Sequence, residues 1–202
     1  ALELPQVWGG LADLSDAGAD EWAQFIGRVS VSGEASTRED QLALRGQAVH
    51  VPRLVRREEL PSGKPLEVRS DATYLVTGGL GSIGLEIAGY LAGRGAKHLV
   101  LTSRREPGEA TQQRIDALAA QGCEVRAVTA DVADGHDVAR LLAGVQAELP
   151  PLAGIVHAAG EIGTTPLSDL DDAEVDRVFA GKVWGAWYLS EAAAGLKLDF
   201  FI

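Results

Sequence analysis

The stretch that most constrains this chain runs from Ala72 to Gly84 and reads ATYLVTGGLGSIG. Thr73 to Thr77 is a run of β-branched, aromatic and apolar residues closed by glycine, the pattern of a strand buried on both faces of a parallel sheet. Gly79, Gly81 and Gly84 follow in G-x-G-x-x-G spacing, and LEIAGYLAGRG then carries helical periodicity. Gly79 permits a turn too tight for a Cβ, Gly81 lets the backbone approach a pyrophosphate, and Gly84 lets the helix pack close to the strand. Gly78, Gly79, Leu80, Gly81, Ser82 and Ile83 therefore form a candidate phosphate cradle, with the N–H groups and positive dipole end of the helix facing the anion. Glycine-rich loops are common in a chain with 24 glycines. What turns this one into a dinucleotide motif is the order strand, turn, helix.

The remaining composition narrows the field. A net charge of −11 over 202 residues argues against a nucleic-acid partner, whose phosphates such a surface repels. The single cysteine, Cys123, rules out an internal disulfide and a Cys-rich metal site and suits a reducing cytoplasm; beside the strand EVRAV it reads as a small packing residue. No apolar run approaches the roughly 20 residues that span a bilayer, and no signal peptide opens the chain. There is no methionine, even at position 1, and an apolar strand opens at Leu198 to Ile202, so a segment of a longer polypeptide is expected.

Residues 1 to 70 lack a repeating rhythm. Val7 to Leu14 reads as a strand, and DAGADEWAQFIGRV places Trp22, Phe25, Ile26 and Val29 on one helical face. EDQLALRGQAVHVPRLVRR alternates on both sides of Gly46, as a hairpin does. Trp8 and Trp22 read as core, and Arg53, Arg56 and Arg57 as a solvated basic patch. LPSGKPLEVRSD, with two prolines and a glycine, reads as a linker. From residue 71 the alternation is regular. Strands are expected at Tyr74–Thr77, His98–Thr102, Glu124–Thr129 and Leu152–His157, with a fifth opening at Asp199. Helices are expected over Ser82–Arg94, Ala110–Gln121, Gly135–Glu148 and, as one long helix, about Asp171–Ala194. This is an α/β pattern: a Rossmann-type parallel sheet of order 3-2-1-4-5 with helices on both faces, and ligands at the C-terminal strand ends beside the first strand.

Those strand ends carry the chemistry. An NAD site places Asp or Glu about 20 residues past the glycine motif; twenty past Gly84 stands Arg104, in LTSRR. A guanidinium grips a 2′-phosphate with charge-assisted hydrogen bonds where a carboxylate repels it, so Ser103 and Arg104 read as an NADPH clamp. Asp131 and Val132 end the third strand, where they suit an adenine amino group and ring face; Asp131 suits equally well the N-cap of the next helix. Ala158, Ala159 and Gly160 are small enough for the chain to pass under the nicotinamide ribose, while His157 before them reads as a hydrogen-bonded core residue. Lys182 lies within GKVWGAWYL on a face expected to be partly buried, either aimed at an active site or snorkelling to solvent along the aromatic residues.

The motifs TGGLGSIG (77–84), LTSRR (101–105), ADVAD (130–134), VHAAG (156–160) and GKVWGAW (181–187) together resemble the short-chain dehydrogenase/reductase superfamily, and within it the ketoreductase domain of modular type I polyketide synthases. The resemblance extends upstream, where VWGGLADL and EDQLALRGQAVHVPRLVR look like the end of the degenerate Rossmann-like structural subdomain that precedes the catalytic half. It implies NADPH-dependent reduction of a β-ketoacyl thioester held by the phosphopantetheine arm of an acyl carrier protein, among the other domains of a cytoplasmic synthase. In this family a lysine of the long helix, matched by Lys182, lowers the pKa of a proton-donating tyrosine, and a serine holds the carbonyl oxygen. Both are expected beyond Ile202, since Tyr74, Tyr90 and Tyr188 sit in no Tyr-x-x-x-Lys and read as packing residues. One stereochemical class carries Leu-Asp-Asp just after the Ala-Ala-Gly; here that place is Glu161 to Thr165, and Leu170-Asp171-Asp172 falls at a helix start, which leans against that class. The rival readings are a catalytically silent scaffold with the same fold and another short-chain enzyme such as a nucleotide-sugar epimerase.

Overall fold

The computed structural model describes residues 3, 8–15, 18–30, 39–46, 48–56 and 66–202, in a chain of two compact units, 1–63 and 64–202. In the first unit, strand β1 (Leu11–Leu14) lies parallel to β2 (Gln41–Arg45), which turns back at Gly46 to pair antiparallel with β3 (Ala48–His50). Helix α1 (Ala19–Ser30) connects the two parallel strands. Its Glu21 is buried, and the carboxylate accepts from the amides of Ser15 and Gly46 and from the Ser15 hydroxyl, which offsets the cost of removing a charge from water. Trp8 and Trp22, expected in the core, are instead 38% and 46% exposed. The indole N–H of Trp8 donates to Asp40 at 2.8 Å, and Trp22 meets Phe25 edge-on at 5.8 Å. Among the described residues of this unit, the three strands and one helix do not enclose rings of that size. Val7, the Val29 side chain and Arg57 lie outside what is described.

The second unit is a five-stranded parallel sheet. Strands β4 (Thr73–Thr77), β5 (His98–Ser103), β6 (Glu124–Thr129), β7 (Leu152–His157) and β8 (Phe200–Phe201) stand in the order β6-β5-β4-β7-β8, the expected 3-2-1-4-5. Central β4 is buried along its whole length, as its unbroken apolar run requires. Its side chains alternate between two cores. Tyr74 and Val76 join Leu99 and Leu101 under helices α2 (Ser82–Gly93) and α3 (Glu109–Ala120), while Leu75 joins Val100 and Ile155 under α4 (Gly135–Glu148). Leu66 and Val68, in the stretch read as linker, already pack on the first of these cores.

The long helix expected over 171–194 is three pieces: α5 (Asp172–Phe179), a π turn (Ala180–Trp184) and α6 (Gly185–Ala193). Glycines mark both ends of the wide turn where it touches the strand ends. A Cβ on Gly181 would lie 3.4 Å from the Gly160 Cα, and one on Gly185 would lie 3.0 Å from Val132 Cγ2 and 3.1 Å from the His157 ring. An inserted residue of this kind leaves the 3.6-residue apolar pattern on either side intact, so periodicity does not reveal it. Among the described residues no helix is long and apolar enough to cross a membrane.

Candidate functional site

A cleft of about 290 Å³ opens where β4, β5, β6 and β7 end, lined by Gly78, Gly81, Ser103, Arg104, Asp131, Val132 and Ala158 to Glu161, with Arg177 and Gly181 across from them. Its floor is the turn after β4. Gly78 has φ +64°, and a Cβ there would lie 2.6 Å from the Ala158 carbonyl oxygen. This glycine, outside the three-glycine motif, is thus the one in the turn that both a positive φ and a close contact require. A Cβ on Gly79 would strike Val76 O and Leu101, and one on Gly84 would overlap Gly78 and Gly79, so Gly84 packs the helix onto the turn rather than onto the strand itself. Gly81 faces open space, with only Gly78 O within 4 Å of a Cβ. Of the other cradle candidates, Leu80 packs toward the core and Ser82 and Ile83 are exposed; none of these side chains lines the cleft.

Helix α2 starts at Gly81 with no side-chain cap. At α4, by contrast, Asp134 accepts from the amides of His136 and Asp137, and at α5 Asp171 accepts from Glu174 at 2.8 Å. Asp131, the alternative cap, does not take that place. Its Oδ1 accepts from Ala133 N and its own amide donates to Asp137 Oδ2, each at 3.0 Å, which leaves it on the cleft wall beside buried Val132.

His157 is held as a core residue. Its Nε2 lies 2.9 Å from the Gly181 carbonyl oxygen, which can only accept, so Nε2 carries the proton. Nδ1 then accepts from the Thr77 hydroxyl at 2.7 Å, and burial lowers the pKa of the ring. The amide of Ala159 points at Thr77 Oγ1 as well, at 3.4 Å. This chain of bonds pins the π turn to the ends of β4 and β7.

Lys182 rides on that turn. Its stem runs along Gly160, where a Cβ would lie 2.9 Å from Lys182 Cγ and 3.1 Å from Cε. The expectation of a partly buried face is overturned: Lys182 is exposed, and Phe179, Val183, Trp184 and Trp187 around it are each about half exposed. The stem follows the backbone of Gly160 because no side chain stands there.

At the opposite wall Arg104 is paired with Glu161, which also pairs with Arg177; Arg177 in turn holds Glu174 in a two-armed contact at 3.0 and 2.8 Å. Arg104 and then Arg177 hold the Glu161 carboxyl below the usual carboxylate range. Nothing in the sequence marks Glu161 and Arg177 as site residues, although Glu161 directly follows the Ala-Ala-Gly run. Two of the three tyrosines pack as expected: Tyr74 is buried with its hydroxyl accepting from Arg69 N, and Tyr188 lies against Gly135, whereas Tyr90 is exposed on α2. Neither they nor Tyr90 line the cleft. Cys123 is buried and its thiol pKa is raised by that burial, which suits packing and not attack. A larger hollow of about 420 Å³ between β6 and α4 is less suited to chemistry: it lies on the strand flank, and its Arg126 and Arg140 are already paired with Glu148 and Asp137.

A family model described as KR domain matches residues 72–202. Polyketide synthase GfsA of Streptomyces halstedii is 39% identical over 203 residues, covering all of this chain and 3% of that protein. The A-type ketoreductases of a modular polyketide synthase match with a TM-score of 0.77 and 36% identity, over 99% of this chain and 42% of that one. The first ketoreductase of the tylosin synthase matches with a TM-score of 0.73 and 34% identity, over 100% of this chain and 42% of that one. The chain thus spans a small part of the curated synthase and less than half of each solved ketoreductase.

Proposed function

This chain belongs to the KR domain family, the ketoreductases of type I polyketide synthases within the short-chain dehydrogenase/reductase superfamily, and we propose that it supplies the NADPH half of a site that reduces a β-ketoacyl thioester, carried by an acyl carrier protein, to the β-hydroxyacyl thioester. The observation that carries this reading is the position of Arg104 on the wall of a cleft whose floor is the uncapped start of α2. The residues present fit the cofactor. Gly81 leaves room for a pyrophosphate against backbone amides, Gly78 supplies the left-handed turn that brings those amides there, and no carboxylate caps that helix against it. Ser103 and Arg104 offer a hydroxyl and a guanidinium to a 2′-phosphate, while Asp131 and Val132 offer an acceptor and an apolar face to adenine.

Bound NADPH supplies the hydride. The chain's own part is to orient the cofactor over Ala158 to Gly160 and to place the Lys182 ammonium at the rim. There its charge favours the phenolate of a proton-donating tyrosine and so lowers that group's pKa. The domain's surroundings in a synthase are the carrier protein and the neighbouring domains. The test is cofactor binding by the full chain: Arg104→Ala is expected to weaken NADPH by about 1 to 3 kcal/mol, the range for hydrogen bonds to a charged group, with NADH barely changed. Equal losses for the two cofactors, or an NADPH affinity untouched by the change, would sink the clamp.

A further inference from the structure

The ion pair that spans the cleft wall bears directly on how a 2′-phosphate is recognised. Arg104 donates to Glu161 and, among the described residues, to no other carboxylate. Arg177, on the far side of Glu161, has a partner of its own in Glu174. Glu161 is the least exposed of the three bridging groups and lies on the cleft together with Arg104 and Arg177. The guanidinium expected to hold the 2′-phosphate therefore already holds an anion that belongs to the chain.

Resting on the NADPH reading above, we propose that Glu161 is the resident counter-ion of the Arg104 seat, and that an adenosine 2′-phosphate binds there by taking its place. The exchange is chemically one-sided. A phosphate monoester carries about −1.5 to −2 charge at neutral pH and three acceptor oxygens, and it out-competes a single carboxylate for a guanidinium. The bare 2′-hydroxyl of NADH carries no charge and leaves the pair closed. Glu161 released from Arg104 is not stranded, since Arg177 keeps it. Glu161 is thus a specificity-determining residue: it sets how much of the Arg104 attraction remains as net affinity, because the phosphate must displace the contact that Arg104 already makes with Glu161.

The experiment is a double-mutant cycle on cofactor binding in the full chain, titrating NADPH, NADH, 2′,5′-ADP and 5′-AMP against the wild type, Glu161→Gln, Arg104→Ala and the double variant. Glu161→Gln keeps the shape and removes the charge, and far-UV circular dichroism checks that each chain is folded. The expected result is an increase of about 3- to 10-fold in affinity for NADPH and 2′,5′-ADP in Glu161→Gln, the scale of a partly exposed ion pair with added repulsion. NADH and 5′-AMP change by less than about 2-fold, and the gain disappears once Arg104 is alanine. If Glu161→Gln leaves NADPH unchanged or weaker while Arg104→Ala still loses it, the counter-ion idea is overturned and the clamp stands. The idea is overturned in the same way if Glu161→Gln strengthens NADPH to the same degree with and without Arg104, which would mean a diffuse field and not a shared seat. If folded wild type binds none of the four, the cofactor reading itself falls and takes the counter-ion with it.

Discussion

The floor of the cleft is backbone that admits no side chain, whereas its rim is long side chains that reach across open space. On the floor, Gly78, Gly79 and Gly84 are fixed by contacts of under 3 Å that any Cβ would make, and the helix above them rests on those contacts. At the rim, Arg104, Glu161 and Arg177 are tied to one another and Lys182 runs along a bare stretch of chain at Gly160, and each of the four keeps part of its surface in water. The first arrangement fixes geometry and tolerates little change; the second fixes charge and can be rearranged by a ligand. A dinucleotide needs both, since its pyrophosphate must meet pre-placed amides while its 2′-substituent is told apart by electrostatics.

The contrast breaks most severely at Gly78. Gly78→Ala forces a left-handed φ on a residue with a Cβ and drives that Cβ into Ala158 O. A loss of about 3 kcal/mol in denaturant unfolding is expected, together with cofactor binding. An unchanged unfolding midpoint would mean that the floor is softer than its contacts indicate. The rim behaves oppositely: the Arg104→Ala change, which would remove the proposed NADPH clamp, should leave the unfolding midpoint within about 0.5 kcal/mol, as for an exposed residue. Matching losses of stability and binding would erase the distinction between floor and rim.

Gly160→Ala sharpens it further, because Gly160 belongs to both. The added methyl meets the stem of Lys182, a flexible side chain that can move aside, so folding is expected to be nearly unaffected while the ammonium is displaced. If Lys182 has the proposed catalytic role, kcat in the intact reductase should fall by about 10-fold or more, the scale of a mispositioned catalytic group, with the affinity for the proposed cofactor little altered. A fall in affinity with kcat intact would instead mean that the methyl disturbs only the cofactor seat, and would leave Lys182 without a role.

Much of this is legible from residues alone, and the division follows the same line. The five parallel strands, their order and the glycine turn are readable because burial and close approach restrict residue type: an apolar β4 and a glycine motif in strand–turn–helix order admit few alternatives. Gly78 reads only as part of a cradle, since the sign of φ is not written in a residue name. The π turn at 180–184 leaves no mark because α5 and α6 keep their own periodicity on either side of it. The Glu161 bridge is invisible for a different reason: its partners are 57 and 16 residues away, and nothing local makes a surface carboxylate choose them. The tryptophans of the first unit mislead because bulk and apolarity predict burial only where neighbouring residues cover the ring, and the described residues around Trp8 and Trp22 do not.

The smallest expected effect lies beneath the rim, at His157. Its ring is neutral, donates to Gly181 O and accepts from Thr77, and burial lowers its pKa from the ordinary value of 6.5. A protonated ring would have to give up the Thr77 hydrogen, because Nδ1 can then only donate. The unfolded chain consequently binds the proton more readily than the folded one, so stability rises with pH between the lowered folded value and 6.5. The contribution is fully present above 6.5 and is lost as the pH falls through that window, before the ion-paired carboxylates, whose pKa values are also lowered, begin to titrate. Unfolding midpoints measured from about pH 7.5 to 5 should therefore slope less in His157→Gln than in the wild type, and the difference between the chains cancels every other titration. Parallel slopes would show that the ring is not the proton-sensitive clasp of the π turn, and that the turn carrying Lys182 is held by packing of Gly181 and Gly185 alone.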